Sequence, residues 1–132
     1  MTWVPVEYQD LLKDDVKAFA CLATLMKDGS PQLTPVWFNT DGVHILINSA
    51  LGRVKDKNIR RDQHVAITIL DPINPYRYIQ VRGKVVEITT QGAREHIDAL
   101  AKKYQGLEKY PSPSKDEIRV TYKILPIKIS EQ

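Results

Sequence analysis

The chain has 132 residues, 42% of them hydrophobic and 27% charged, with 19 basic against 16 acidic side chains and a single cysteine. That length holds one hydrophobic core, so a single domain over residues 1–132 is expected, and the composition excludes a disordered or low-complexity chain. The longest apolar runs, such as VAITIL at 65–70, fall far short of the roughly 20 residues that cross a bilayer, which excludes a helical membrane span. Cys21 has no second cysteine to pair with, and the start MTWVPVEYQDLLKDD has no leader pattern, so a cytoplasmic location is expected.

In chain order, residues 5–14 read as a short helix with Pro5 in its first turn and Tyr8, Leu11 and Leu12 on its apolar side. FACLATLM (19–26) is apolar on both alternating faces, as in a strand covered on both sides. Asp28-Gly29 favours a tight turn, LTPVWFN (33–39) returns as a strand, and VHILINS (43–49) follows a second Asp-Gly pair. Three strands in meander order are predicted. HVAITILD (64–71) is a β-branched strand closed by the loop DPINPY. In YIQVRGKVVEI (78–88) the apolar positions change from odd to even around Gly83, which predicts a bulge or sharp bend.

Residues 91–104 switch to helical period through Ala93, Ile97, Leu100, Ala101 and Tyr104. The last strand alternates Ile118, Val120, Tyr122 and Ile124 with polar residues, and changes phase after Pro126. The fold class expected is mainly β, a small six-stranded antiparallel barrel with short helices attached.

Local charge is concentrated in SALGRVKDKNIRRD (49–62), where Arg53, Lys55, Lys57, Arg60 and Arg61 crowd into nine positions with Asp56 among them. Taken as a helix at about 100° per residue, the stretch puts Arg53, Lys57, Arg60 and Arg61 on one side, and Lys55 only about 40° from Ile59. Ile59 is the residue expected to face the body of the protein, so Lys55 should lean inward near the first turn. A lysine there, beside free backbone N–H groups, suits a phosphate or carboxylate. Three readings stay open on charge alone: an anion site, a solvated helix face, or a nucleic-acid surface with Trp37, Tyr76 and Tyr78. No extended basic groove accompanies the cluster, which counts against nucleic acid.

The common phosphate-loop, dinucleotide and serine-nucleophile signatures are absent from the sequence. His44, His64 and His96 show no metal-ligand spacing, so structural roles and no metal are expected. Ser49 has no histidine nearby in sequence, no catalytic side chain is assigned, and any chemistry is expected to belong to a cofactor. Trp37 and Phe38 are adjacent in a strand, so one should face the barrel and the other outward. Asn58 is expected to make a local helix or loop bond.

LATLMKDGSPQLTPVWF, then LINSALGRVKDKNIRRDQHVAITILDPINPYRYIQVRGKVVEI, then the helix and RVTYKILPIKI, together resemble the pyridoxamine 5'-phosphate oxidase-like flavoprotein superfamily. More narrowly, the chain is similar to its flavin- or deazaflavin- (coenzyme F-420-) dependent oxidoreductases, with G-R-x-K-x-x-N-I-R-R-D and D-P-x-N-P-Y-R-Y-x-x-V-R-G as the specific parts. The resemblance implies a split-barrel homodimer with a cofactor in each of two clefts at the interface. It implies that Arg53, Lys55 and Lys57 hold the cofactor phosphate, and that Thr34, Pro35, Val36 and Trp37 lie along the ring. Asn48 and Ser49 would contact the ribityl chain or phosphate, and Tyr78 or Gln80 would reach in from the other subunit.

The true oxidase carries an Arg-Lys pair where Val54 precedes Lys55 here, and a C-terminal substrate-binding section beyond the point where this sequence stops, so oxidation of pyridoxamine phosphate is not expected. The activity implied is hydride transfer between reduced coenzyme F-420, or FMN, and a small unsaturated or quinone-like acceptor. A non-catalytic flavin or deazaflavin carrier is the alternative. Neither nucleic acid nor membrane is an expected partner.

Overall fold

The computed structural model describes residues 3–112 and 116–131. Val6–Leu12 forms a 3-10 helix, shorter than the helix expected over 5–14, and turns Leu11 and Leu12 into the core. Arg77 ties it down, donating to the Glu7 carbonyl and to Asp10 while pairing with Asp71 at 3.0 Å.

β1 (Phe19–Leu25) and β2 (Pro31–Val36) make the expected antiparallel hairpin. The returning strand does not run through to residue 39. It breaks at Trp37, and β3 (Phe38–Thr40) pairs instead with β4 (Ile45–Ala50). α1 (Val54–Arg61), β5 (His64–Leu70), β6 (Tyr78–Thr89), α2 (Ala93–Gln105) and β7 (Arg119–Glu131) complete the order.

The strands form one antiparallel sheet in the order β2-β1-β5-β6-β7-β4-β3. This corrects the expected meander: β2 and β3 lie on opposite edges. Only Trp37 separates those edges in the chain, and successive Cα atoms are about 3.8 Å apart, so the sheet must curl until its edges meet there. The result is a split barrel with seven strands in place of six, because one predicted strand supplies both sides of the seam. Leu22, Phe38, Ile45, Ile47, Ile67, Ile69, Tyr122 and Ile124 fill its interior. Phe38 faces in and Trp37 faces away, the division expected of adjacent strand residues.

The long β6–β7 ladder bends at two places. Ile127 is passed over opposite Arg82/Gly83, and Val86 is passed over opposite Ile124/Lys123. A Cβ on Gly83 would sit 2.8 Å from Ile124 Cγ2 and 2.9 Å from the Leu125 carbonyl oxygen, so this approach requires glycine. The sequence pattern merges the two bulges into one. Burial stays on odd residues through Val85, and Val86, expected in the core, is 50% exposed.

Candidate functional site

α1 starts after a left-handed Gly52, φ +89°, whose N–H donates to Asp56 Oδ2 at 2.9 Å. Asp56 is buried and also accepts from the Tyr122 hydroxyl at 2.6 Å and Arg60 Nε at 3.1 Å. Burial alone would raise its pKa, but the Gly52, Tyr122 and Arg60 donors outweigh that and hold it below the usual carboxylate range. Burial, then the hydrogen bond donated to Asp56, pushes the Tyr122 phenol upward. Asn58, also buried, donates to Thr24 Oγ1 on β1 at 3.0 Å and accepts from Arg61 at 3.2 Å. The Arg61 bond is the local helix bond expected, and the Thr24 bond adds a reach across the fold. Arg60 and Arg61 are absorbed into anchoring the helix.

The first turn of α1 behaves differently. Lys55 is half-buried and has no ion-pair partner among the described residues. Burial first, then the neighbouring Arg53 and Arg119 charges, lower its pKa. Arg119, at the start of β7, is 6% exposed, donates from Nε to Asn48 Oδ1 at 2.9 Å, and pairs with Glu117 at 2.7 Å. Arg53 reaches the other oxygen of Glu117 at 3.3 Å.

Behind these cations stands a neutral histidine. His96 Nε2 lies 2.8 Å from Asn39 Oδ1, an acceptor, so this nitrogen carries the proton. Nδ1 then accepts from Asn48 Nδ2 at 3.1 Å. Burial, then Arg119, holds the His96 pKa at about 4. Asn48 is thus oriented by α2 and in turn aims Arg119.

These groups close one end of a cleft of about 680 Å³. Its other wall is apolar: Ala18, then Cys21 and Pro35 from β1–β2, then Trp37, Ile97 and Leu100. Trp37 stacks on Tyr104 at 5.4 Å with 5° between planes, and meets Tyr110 edge-on at 6.2 Å. The end of α2 also covers the barrel seam. Lys103 Nζ donates to the Phe38 carbonyl and the Tyr104 hydroxyl to the Ala18 carbonyl, both at 2.9 Å. The arrangement offers fixed cations at one end and a flat aromatic and aliphatic wall at the other, a geometry for a planar ligand with an anionic tail.

Of the residues singled out from sequence, Arg53, Lys55, Asn48, Pro35, Val36 and Trp37 come together in this cleft. The others do not. Ser49 is buried inside the barrel beside the Tyr122 hydroxyl, because strand alternation turns it away from Asn48. Thr34 shares the inner face with Leu22, and its Oγ1 is enclosed with no hydrogen-bond partner among the described residues. Lys57 is exposed and outside the cleft. Tyr78 and Gln80 alternate with buried Ile79 and Val81 on the outer face of β6, away from this chain's cleft. Sequence reasoning missed Arg119, Glu117, Tyr104 and Tyr110. Arg119 looked like an ordinary polar position in an alternating strand.

A profile of the pyridoxamine 5'-phosphate oxidase family matches residues 6–131. The chain belongs to that family. Among its solved relatives is an F-420 reductase, 34% identical, with a TM-score of 0.86, covering 98% of this chain and 100% of that one. A conserved hypothetical protein from Mycobacterium tuberculosis is 22% identical with a TM-score of 0.70, over 97% of this chain and 84% of that one. HupZ from Group A Streptococcus is 22% identical with a TM-score of 0.66, over 97% and 93% of the two chains. These two show the shared fold. A search of curated proteins finds no match. Family membership and fold support a flavin- or deazaflavin-related oxidoreductase at that coarse level. No helix among the described residues is long and apolar enough to cross a membrane.

Proposed function

We propose that this member of the pyridoxamine 5'-phosphate oxidase family holds coenzyme F-420, or failing that FMN, in the cleft and transfers hydride between the reduced coenzyme and a small unsaturated or quinone-like acceptor. The observation that carries the reading is Lys55, half-buried beside two arginines with no acidic partner among the described residues, at the cationic end of an otherwise apolar cleft. An ammonium held in such surroundings is stabilised by an incoming anion. The 34% identity to an F-420 reductase favours the deazaflavin over FMN.

Bound there, the coenzyme supplies the hydride chemistry. The chain's residues bind and orient: Lys55 and Arg53 fix the phosphate, Asn48 and Arg119 complete the polar end, and Pro35, Val36 and Trp37 form a wall for the ring. The wall also excludes water. Hydride transfer needs no obligatory side-chain acid or base, which fits a His96 held neutral behind the cations.

The working unit in this reading is a homodimer. Leu33 and Ile127 stand 64–66% exposed on the outer sheet face, at a second, apolar groove of about 580 Å³ lined by Ala23, Val65 and Ala66. A second copy seated there accounts for these side chains and makes Tyr78 and Gln80 its contributions to the cleft. Light scattering at micromolar protein should give about twice the monomer mass.

Titration of the protein with F-420 and with FMN, followed by fluorescence, tests the cofactor. Micromolar binding that weakens in Lys55→Ala supports the site, and equal binding in that variant moves the phosphate elsewhere. Adding a quinone or nitroaromatic acceptor to the reduced complex tests the enzyme. A rate no faster than that of free coenzyme leaves a carrier.

A further inference from the structure

Glu117 lies at the polar end of the cleft with its carboxylate spread over two cations. One oxygen is 2.7 Å from Arg119, the other 3.3 Å from Arg53, and the Ser112 hydroxyl donates to the first at 3.3 Å. Its side chain is only 10% exposed, and Arg119's only 5%. Arg53, by contrast, is 46% exposed and lines the cleft with Lys55.

We infer that Glu117 is the internal counter-anion of this cleft, occupying Arg53 and Arg119 in the free protein and giving up part of that hold when a ligand brings a phosphate. The inference rests on the cofactor reading of the cleft. A buried guanidinium with no carboxylate nearby is costly, so Glu117 stabilises the empty cluster. The same negative charge opposes a second anion arriving at Lys55, which shares the cleft end with Arg53 and Arg119. Glu117 therefore acts with opposite sign on the two states, supporting the free protein and loosening the complex. A ligand must bring enough charge to compete with it, and Glu117 thereby narrows the cleft's preference for phosphorylated over neutral flavins. A carboxylate that served only to hold Arg119 in place would act with one sign, and its loss would weaken protein and complex together.

Glu117→Gln separates the two, because the amide keeps an acceptor oxygen for Arg119 and removes the charge. The full-length variant is titrated with FMN, F-420 and riboflavin, and melted without ligand. Expected are about tenfold tighter FMN and F-420, riboflavin unchanged within about twofold, and a lower melting temperature of the free protein. Ser112→Ala, which loosens the carboxylate without removing it, should tighten FMN about twofold, and it decides the matter should Glu117→Gln not fold. Unchanged or weaker FMN binding in these variants, or riboflavin tightened as much as FMN, overturns the inference. Wild-type binding that still depends on Lys55 without such tightening overturns this inference alone. No wild-type binding of FMN or F-420, or equal binding by Lys55→Ala, overturns the cofactor reading and this one with it.

Discussion

Arg60 and Lys55 are five residues apart on α1, both cationic, and their surroundings could hardly differ more. Arg60 lies against a buried carboxylate that already holds a backbone N–H and a tyrosine hydroxyl. Lys55 shares one end of the cleft with two other cations, and its charge is disfavoured by burial and by those neighbours. The far end of the helix spends its charges on the fold, while the near end leaves one open. A run of basic residues is thus two devices, and what separates them is which side chains have acids within reach. Removing charge from each end should have opposite consequences for stability and for binding.

The largest effect is expected at the closed end. Asp56→Ala leaves Gly52 N–H, the Tyr122 hydroxyl and Arg60 without their shared acceptor, and should destabilise the protein by about 3 kcal/mol in urea unfolding. The FMN affinity of the folded fraction should change by less than about threefold. A comparable loss of affinity without loss of stability would erase the division between the two ends.

At the open end the signs exchange. Lys55→Ala should weaken FMN or F-420 binding about thirtyfold, near 2 kcal/mol, while urea stability stays within about 0.5 kcal/mol of wild type.

His96 backs the open end and gives the comparison a pH axis. Its pKa is about 4 in the fold against an ordinary 6.5, so between those values the unfolded chain binds a proton that the folded chain does not. Stability should therefore fall as pH drops from 6.5 towards 4. Between pH 7 and 5 the loss should be about 1–2 kcal/mol, read from urea midpoints, and His96→Gln should flatten it. Asp56 adds a loss of the same direction only at lower pH, because its pKa is depressed below 3.8.

How much of this was legible in the sequence follows from the range of each interaction. Helical period alone turned Lys55 inward, and the change of strand phase near Gly83 announced the bend. Local patterns could not show that residues 33–39 would divide at Trp37 between opposite sheet edges, because partner choice in a sheet is non-local. Arg119 and Glu117 meet Arg53 across 64 or more positions, with no local signal. Ser49 was a different case. Period-two alternation already puts the Asn48 and Ser49 side chains on opposite sheet faces, so their pairing as side-chain ligands could have been refused from the sequence.

Lys57 offers the smallest and finest test. It carries the same charge as Lys55 two positions away, yet it is exposed and does not line the cleft. An exposed cation is screened over about 10 Å at 0.1 M salt and contributes on the order of 0.5 kcal/mol to an ionic contact, so Lys57→Ala should change FMN affinity by about twofold at most. Coenzyme F-420 differs from FMN in carrying an acidic tail beyond its phosphate. Where that tail passes along the helix, Lys57→Ala should weaken F-420 about threefold and spare FMN, and the difference should vanish at 0.5 M salt. A loss shared equally by both ligands and persisting in salt would instead put Lys57 at the phosphate, and the open end of the helix would then hold two fixing lysines in place of one.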